Sequence, residues 1–300
     1  MKNKGLIGIL GGSGFVGSEL CGQLITAGYS VRLLTRNAEK CRHLKVLPAL
    51  SIIQVMDYQS NTLSRELTDC HALINLIGIL NEKGNDGKEF QDVHVGITRN
   101  ALNACEKCRI PRLLQMSALN AHPDAPSHYL RSKGKAENYI KTFSDEHLDY
   151  TIFKPSVIFG EGDSFLNRFA GLVKWVPGVF PLACANSRFA PVYVGDVAKK
   201  FVAAIDDKTT FNQSFELCGP NIYTLKELVE YTAAICGYRR VVVSLPQYLS
   251  QLQATVFERL PGKPFSVDNF NSLKLDSVCS QGEPCSTSLQ AIAPTYLGRS

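Results

Sequence analysis

Leu6-Ile7-Gly8-Ile9-Leu10-Gly11-Gly12-Ser13-Gly14-Phe15-Val16-Gly17 is the stretch that decides the fold. Leu6 to Leu10 reads as a buried strand, and the pattern from about Gly14 to Ala27 reads as a helix stopped by Gly28. Between them, Gly12, Gly14 and Gly17 give GxGxxG, and Gly11, Gly14 and Gly17 give GxxGxxG. A glycine loop joining a strand to a helix is the dinucleotide fingerprint. One glycine permits the tight turn, one lets the backbone approach a pyrophosphate, and the last lets helix and strand pack closely. The phosphates are then expected on N–H groups at the helix N-terminus, where the dipole favours negative charge. Ser13, Phe15 and Val16 belong to the same expected site.

Downstream, apolar strand-like runs alternate with helical patterns. Strands are expected at 30–35, 52–56, 72–77, 112–116 and 150–158, with helices at about 90–107 and 129–146. This alternation predicts an α/β fold, a Rossmann-type doubly wound parallel sheet, whose ligands bind at the carboxyl ends of the strands. After about Gly160 the rhythm changes, and 161–187 is rich in Gly, Pro and aromatics. We therefore expect a dinucleotide-binding domain over 1–160, with 189–207 returning to it. Residues 161–300 form a smaller, partly interleaved C-terminal α/β lobe for substrate or partner.

The composition suits a large folded core, with 45% hydrophobic and 20% charged residues among 300. The net charge of +5 is spread along the chain without a clustered stripe, so no nucleic-acid partner is expected. No apolar run approaches the roughly 20 residues of a membrane-spanning helix. The run Trp175 to Ala183, broken by Pro177 and Pro181, reads as a pocket-lining or interfacial loop. Most of the ten cysteines sit in apolar segments, as in Leu20-Cys21 and Ile235-Cys236, and read as free buried thiols. Without a visible signal peptide, a reducing cytoplasm is the expected compartment. Cys105 and Cys108 form a CxxC without a second pair, which reads as packing. No HExxH, paired CxxC or Walker pattern is present, and no metal is expected.

The end of the second strand bears on the cofactor. An NAD site usually carries an acid there for the ribose 2′-hydroxyl. This chain has Thr35-Arg36-Asn37 with Lys40 behind. Arg36 suits a 2′-phosphate, so NADP(H) is preferred and NAD(H) is the alternative. Asp57, after the third strand, is placed to meet the adenine amino group. Asn75 and Gly78, at the end of the fourth, are placed to pass the adenosine ribose.

Tyr129-Leu130-Arg131-Ser132-Lys133 contains YxxxK, and positions four apart share a helix face. The lysine is expected to lower the tyrosine pKa and hold the nicotinamide ribose, while the phenol exchanges a proton with a carbonyl or hydroxyl. Ser117 ends the fifth strand and is expected to orient the same oxygen. Elsewhere, His94 reads as structural, His128 gains interest from adjoining Tyr129, Asp163 and Arg168 are expected to pair, and Asp196 reads as a helix cap.

With these residues in view, the chain resembles the extended and atypical short-chain dehydrogenase/reductases, in its GxxGxxG loop, its Tyr129 to Lys133 motif and Phe153-Lys154-Pro155-Ser156-Val157-Ile158-Phe159-Gly160. Ser117 to Ala121, Gly160 through Asp163 to Arg168, and Pro191 to Val197 are similar to the NADPH-binding accessory subunit family of respiratory complex I and its bacterial relatives. Asp268-Asn269 and Pro294 to Leu297 extend the likeness thinly. The resemblance implies a tightly held NADPH contacted by Gly11, Gly14, Gly17, Arg36, Tyr129 and Lys133, with Lys154 and Pro155 nearby. It also implies a respiratory-chain or membrane-complex partner and a peripheral place at the inner membrane. Eleven residues separate Ser117 from Tyr129, fewer than in sugar-nucleotide epimerases, which argues against a sugar-nucleotide pocket. Ala183 to Ser187 lacks the glycines of relatives, and Lys154 replaces a common arginine.

Two main readings follow: an oxidoreductase moving hydride between NADP(H) and a carbonyl or hydroxyl substrate, and a non-catalytic NADPH-binding structural or redox-sensing module. A nucleotide-sugar epimerase or dehydratase is the weaker third.

Overall fold

The all-apolar segment Leu6–Leu10 (β1) lies near the middle of a seven-stranded parallel sheet, where both its faces are covered. Its neighbours are Ser30–Thr35 (β2) and Cys70–Asn75 (β4). Leu50–Gln54 (β3) flanks β2, while Arg112–Met116 (β5) and Asp149–Pro155 (β6) continue beyond β4. Chain order reverses between β1 and β4, which is the switch point where such sheets bind ligands. The computed structural model describes residues 4–143, 147–260 and 263–298.

The seventh strand, Gln213–Leu217, pairs with β6 at the sheet edge. Sequence reading did not single it out, because Gln213, Ser214 and Phe215 are exposed and carry no strand-like alternation. The chain therefore returns to the sheet beyond residue 207. β3 and β4 each start two residues earlier than expected. The expected strand 150–158 ends at Pro155 and resumes as the short Ile158–Phe159, with the Ser156 N–H turned to Leu217 O.

On one face, the helix Phe15–Thr26 (α1) packs with the helix Val194–Ala204. Leu20 and Leu24, four apart on α1, are fully buried, each stabilising the fold by about 2 kcal/mol. The other face is covered by Ser60–Glu66, Ile97–Cys108 and His128–Thr142. The expected end of the last helix, 144–146, lies outside the described residues. A separate core around Phe159, Leu166, Phe189 and Leu228 builds the C-terminal part.

Three further expectations change. Cys218 and Cys279 form a disulfide, where free thiols were expected; Cys105 and Cys108 do not. Asp196 does not cap its helix: Tyr193 holds the N-cap position, and Asp196, in the first turn, accepts the Thr287 N–H at 3.1 Å. The expected loop 175–183 contains the strand Val179–Leu182, paired with Val241–Ser244. Among the described residues, no helix is long and apolar enough to cross a membrane.

Candidate active site

The glycine loop leaves β1 at Gly11, whose φ of +78° favours glycine. A Cβ there would also lie 2.9 Å from Ile77 N, so the missing side chain lets the exit of β4 pack against the loop. At Gly17 a Cβ would lie 2.4 Å from Gly12 Cα, so this glycine lets α1 close onto the turn. Gly14 is the N-cap of α1; no side chain caps it, and the first turn holds no acid. These residues fit a dinucleotide phosphate, with backbone amides uncovered at the positive end of the helix. The Ser13 hydroxyl bonds the buried Cys41 thiol, Val16 packs into the core, and Phe15 lies against Gly160.

Arg36 is exposed at the end of β2, its guanidinium 5.8 Å from the Tyr58 ring centroid. Asp57 is exposed and accepts the Gln59 N–H at 3.0 Å. That bond holds its carboxyl below the usual range, and the residue acts locally as a turn former. Asn75 is buried, donating to Gln115 Oε1 and Thr98 Oγ1 and accepting the Ile77 N–H at 3.1 Å. Its side chain therefore shapes the turn after β4, leaving that turn's backbone beside the glycine loop.

Gly78 brings this turn to the YxxxK helix. A Cβ at Gly78 would lie 3.0 Å from Lys133 Nζ and 3.4 Å from His94 Nε2. Lys133 is buried and donates to Met116 O at 3.2 Å. Burial pushes its ammonium down to about 8, against the opposing pull of Glu137 one turn on. Tyr129 is raised to about 12 by burial, contrary to the expectation that the lysine lowers it. Desolvation beside the Phe90 and His94 rings is the cause, so Tyr129 is a protonated acid at neutral pH.

Ser117 is also placed differently from expectation. Its hydroxyl donates to Glu137 Oε1 at 2.5 Å, so this proton is not offered to a substrate. Glu137 is buried and lies 3.6 Å from Lys154 Nζ and 3.7 Å from Lys141 Nζ. Ser117, Lys154 and Lys141 thus surround one carboxylate. Pro155, at the end of β6, accepts the Leu119 N–H at 3.0 Å.

Several positioning groups carry little sequence signal. Residues 91–96 form a π-helical segment within the expected helix 90–107, a feature frequent at functional sites. It carries His94, whose Nε2 accepts the Ile79 N–H at 3.1 Å while Nδ1 lies 2.7 Å from Ser132 Oγ. The Nδ1–H tautomer therefore donates to Ser132, which donates to Tyr129 O at 2.8 Å. Burial and Lys133 push the imidazole down to about 2, so it is neutral and structural. Ser127 caps the YxxxK helix through the Leu130 N–H, and Asp268 accepts the N–H groups of His128 and Tyr129 at 2.5 and 3.1 Å. Asp163 and Arg168 do not pair. Asp163 is filled by the N–H groups of Gly160, Phe165, Leu166 and Asn167 and by Tyr296 Oη, and Arg168 donates to Pro264 O.

Comparison with known proteins agrees with this architecture. The model of the NAD dependent epimerase/dehydratase family matches residues 7–218. The chain is 31% identical to NADH dehydrogenase [ubiquinone] 1 alpha subcomplex subunit 9, mitochondrial, of Arabidopsis thaliana, over 91% of this chain and 70% of that one. It is 25% identical to the ceramide reductase of Caulobacter vibrioides, over 81% and 74% of the two chains. Among solved structures, the UDP-N-acetylglucosamine 4-epimerase of Methanobrevibacter ruminantium superposes with a TM-score of 0.68 at 19% identity, over 82% of this chain and 86% of that one. At that identity the likeness concerns the fold alone. The glycine loop at a parallel-sheet switch point, the YxxxK helix beside it and the match over most of the chain together establish membership of the NAD dependent epimerase/dehydratase family.

Proposed function

We propose that this protein is an NADP(H)-dependent oxidoreductase that reduces a carbonyl substrate, with Tyr129 as its acid. The observation that carries the reading is Tyr129 held protonated one helical turn from the buried Lys133 ammonium, with Lys133 against Gly78 beside the glycine loop. Gly11, Gly14 and Gly17 admit the pyrophosphate, the first-turn amides of α1 bind it, and Arg36 takes the 2′-phosphate. When bound, the nicotinamide supplies a hydride for the carbonyl carbon. Tyr129 gives its phenolic proton to the carbonyl oxygen as that carbon is reduced, and Lys133 stabilises the phenolate until it is reprotonated from water. Asn75, His94 and Asp268 hold the turn and helix that carry these groups. Ser117 acts through Glu137 as a positioning residue.

Turnover tests this reading. The purified protein, loaded with NADPH, is offered aldehydes, quinones and sugar nucleotides while absorbance at the reduced nicotinamide is followed. Oxidation that Tyr129→Phe slows by about 100-fold or more supports it. NADPH retained with no substrate-dependent oxidation refutes it in favour of a binding module.

One surface favours that second reading. Tyr248, Leu252 and Val256, four apart on the helix Gln247–Phe257, are exposed, as are Val241, Val243 and the 82% exposed Trp175. Gln253 reaches Pro181 O, which ties the helix to the strand pair beneath it. In this reading the apolar face seats an NADPH-binding module on a membrane complex. Leu252→Glu is then expected to release it from membranes without altering NADPH affinity, and unchanged association would exclude that role for the face.

A further inference from the structure

A cavity of about 210 Å³ adjoins Tyr129. Asn81, Glu82, Phe90, His128, Lys263 and Asp268 line it. Phe90, in its wall, meets the Tyr129 ring edge to face at 5.9 Å, and Asp268, also in its wall, accepts the Tyr129 backbone N–H.

Two charged side chains of its lining are already engaged. Lys263 Nζ donates to the carbonyl oxygens of Glu82, Lys83 and Gly84 and to Asn85 Oδ1, all at 2.8–3.0 Å. Asp268 is occupied by two backbone N–H groups. Glu82 is 7% exposed; its Oε1 accepts the Gly87 N–H at 2.8 Å, while its Oε2 has no hydrogen-bond partner among the described residues. The same holds for Asn81 Oδ1, although Asn81 Nδ2 donates to Lys263 O. Among the described residues only four buried side-chain polar atoms lack a partner, and two of them belong to these adjacent residues of one cavity wall. An unsatisfied buried acceptor costs about 1–3 kcal/mol. Two together, beside an acid, mark a place where a ligand's donors complete the bonding.

We infer that this cavity receives the hydrogen-bond-donating head of the substrate, a hydroxyl or ammonium group that bonds Asn81 Oδ1 and Glu82 Oε2. The cavity, of about 210 Å³, admits a compact polar head. The assignment rests on the oxidoreductase reading for its reaction but not for its binding.

The test is calorimetry on the full-length, NADPH-loaded protein without turnover, using xylitol, ethanolamine and the donor-free 2-butanone as probes. Xylitol or ethanolamine is expected to bind more tightly than 2-butanone, and Asn81→Leu to weaken that binding by about tenfold. Glu82→Gln keeps an acceptor for Gly87 N–H and separates the two heads: ethanolamine loses about tenfold, xylitol about threefold or less. Unchanged melting temperature and NADPH affinity report intact folding. If Glu82→Gln does not fold, Asn81→Leu decides alone, with its NADPH affinity separating lost probe binding from the lost Asn81 Nδ2 bond to Lys263 O. Equal affinity for the three probes, or donor binding indifferent to Asn81→Leu, overturns the assignment. That failure would leave the oxidoreductase reading standing, since NADPH oxidation by donor-free carbonyls is read separately.

Discussion

Asp268 accepts the backbone N–H of Tyr129 at 3.1 Å across 139 residues of chain. The same carboxylate takes the His128 N–H, and Ser272 donates to Ser127 Oγ at 2.8 Å, so the short helix Val267–Ser272 holds the first turn of the YxxxK helix. A carboxylate on otherwise unpaired amides at a helix N-terminus satisfies both the donors and the dipole. Asp268→Ala is therefore expected to cost about 1–2 kcal/mol in urea denaturation and to lower kcat more than it raises KM. Asp268→Asn should recover most of the stability; a loss below measurement error for Asp268→Ala would exclude the clamp.

His94 links the turn after β4 to the YxxxK helix through Ile79 and Ser132. Its leucine variant leaves a buried N–H and a buried hydroxyl short of a partner, an expected loss of about 2–4 kcal/mol. The folded imidazole is held down to about 2 against an ordinary 6.5. The unfolded chain therefore binds the extra proton between those values. Stability contributed by neutral His94 is full above pH 6.5 and falls as pH drops towards 2. Stability curves of wild type and His94→Leu at several acidic pH values should converge; parallel curves would contradict this account.

Lys133 gives the opposite limb. Its folded value near 8 lies below the ordinary 10.5, so the unfolded chain holds more protons between them. The cost of burying the ammonium is complete below pH 8 and is relieved as pH rises to 10.5, a gain on the order of 3 kcal/mol for the cofactor-free protein. Lys133→Met should remove this rise, stabilise the cofactor-free protein at neutral pH and weaken NADPH binding. Unchanged pH dependence in the variant would show that the ammonium is not desolvated.

The sequence carried the parts of this architecture that rest on local chemistry. Gly11 and Gly17 stand where a side chain would strike Ile77 or Gly12, and β5 runs over the expected residues because Arg112–Met116 is buried throughout. The edge strand Gln213–Leu217 was hidden because an edge asks for less apolar surface. Tyr129 and Lys133 could be found by spacing, but the direction of the tyrosine shift depends on Phe90 and His94 packed against it. Asp268, Glu82 and Asn81 act through contacts set by tertiary structure, and the partner of Ser117 lies 20 residues away on a helix facing its strand.

The central claim is that the glycine loop and Arg36 hold NADP(H), and paired affinities for NADPH and NADH measure it most directly. For the wild-type protein the account predicts NADPH binding at least about tenfold tighter, with the difference abolished in Arg36→Ala, as expected when a charge-assisted pair with the 2′-phosphate is lost. Equal affinities in the wild type, or a preference that survives Arg36→Ala, would contradict it.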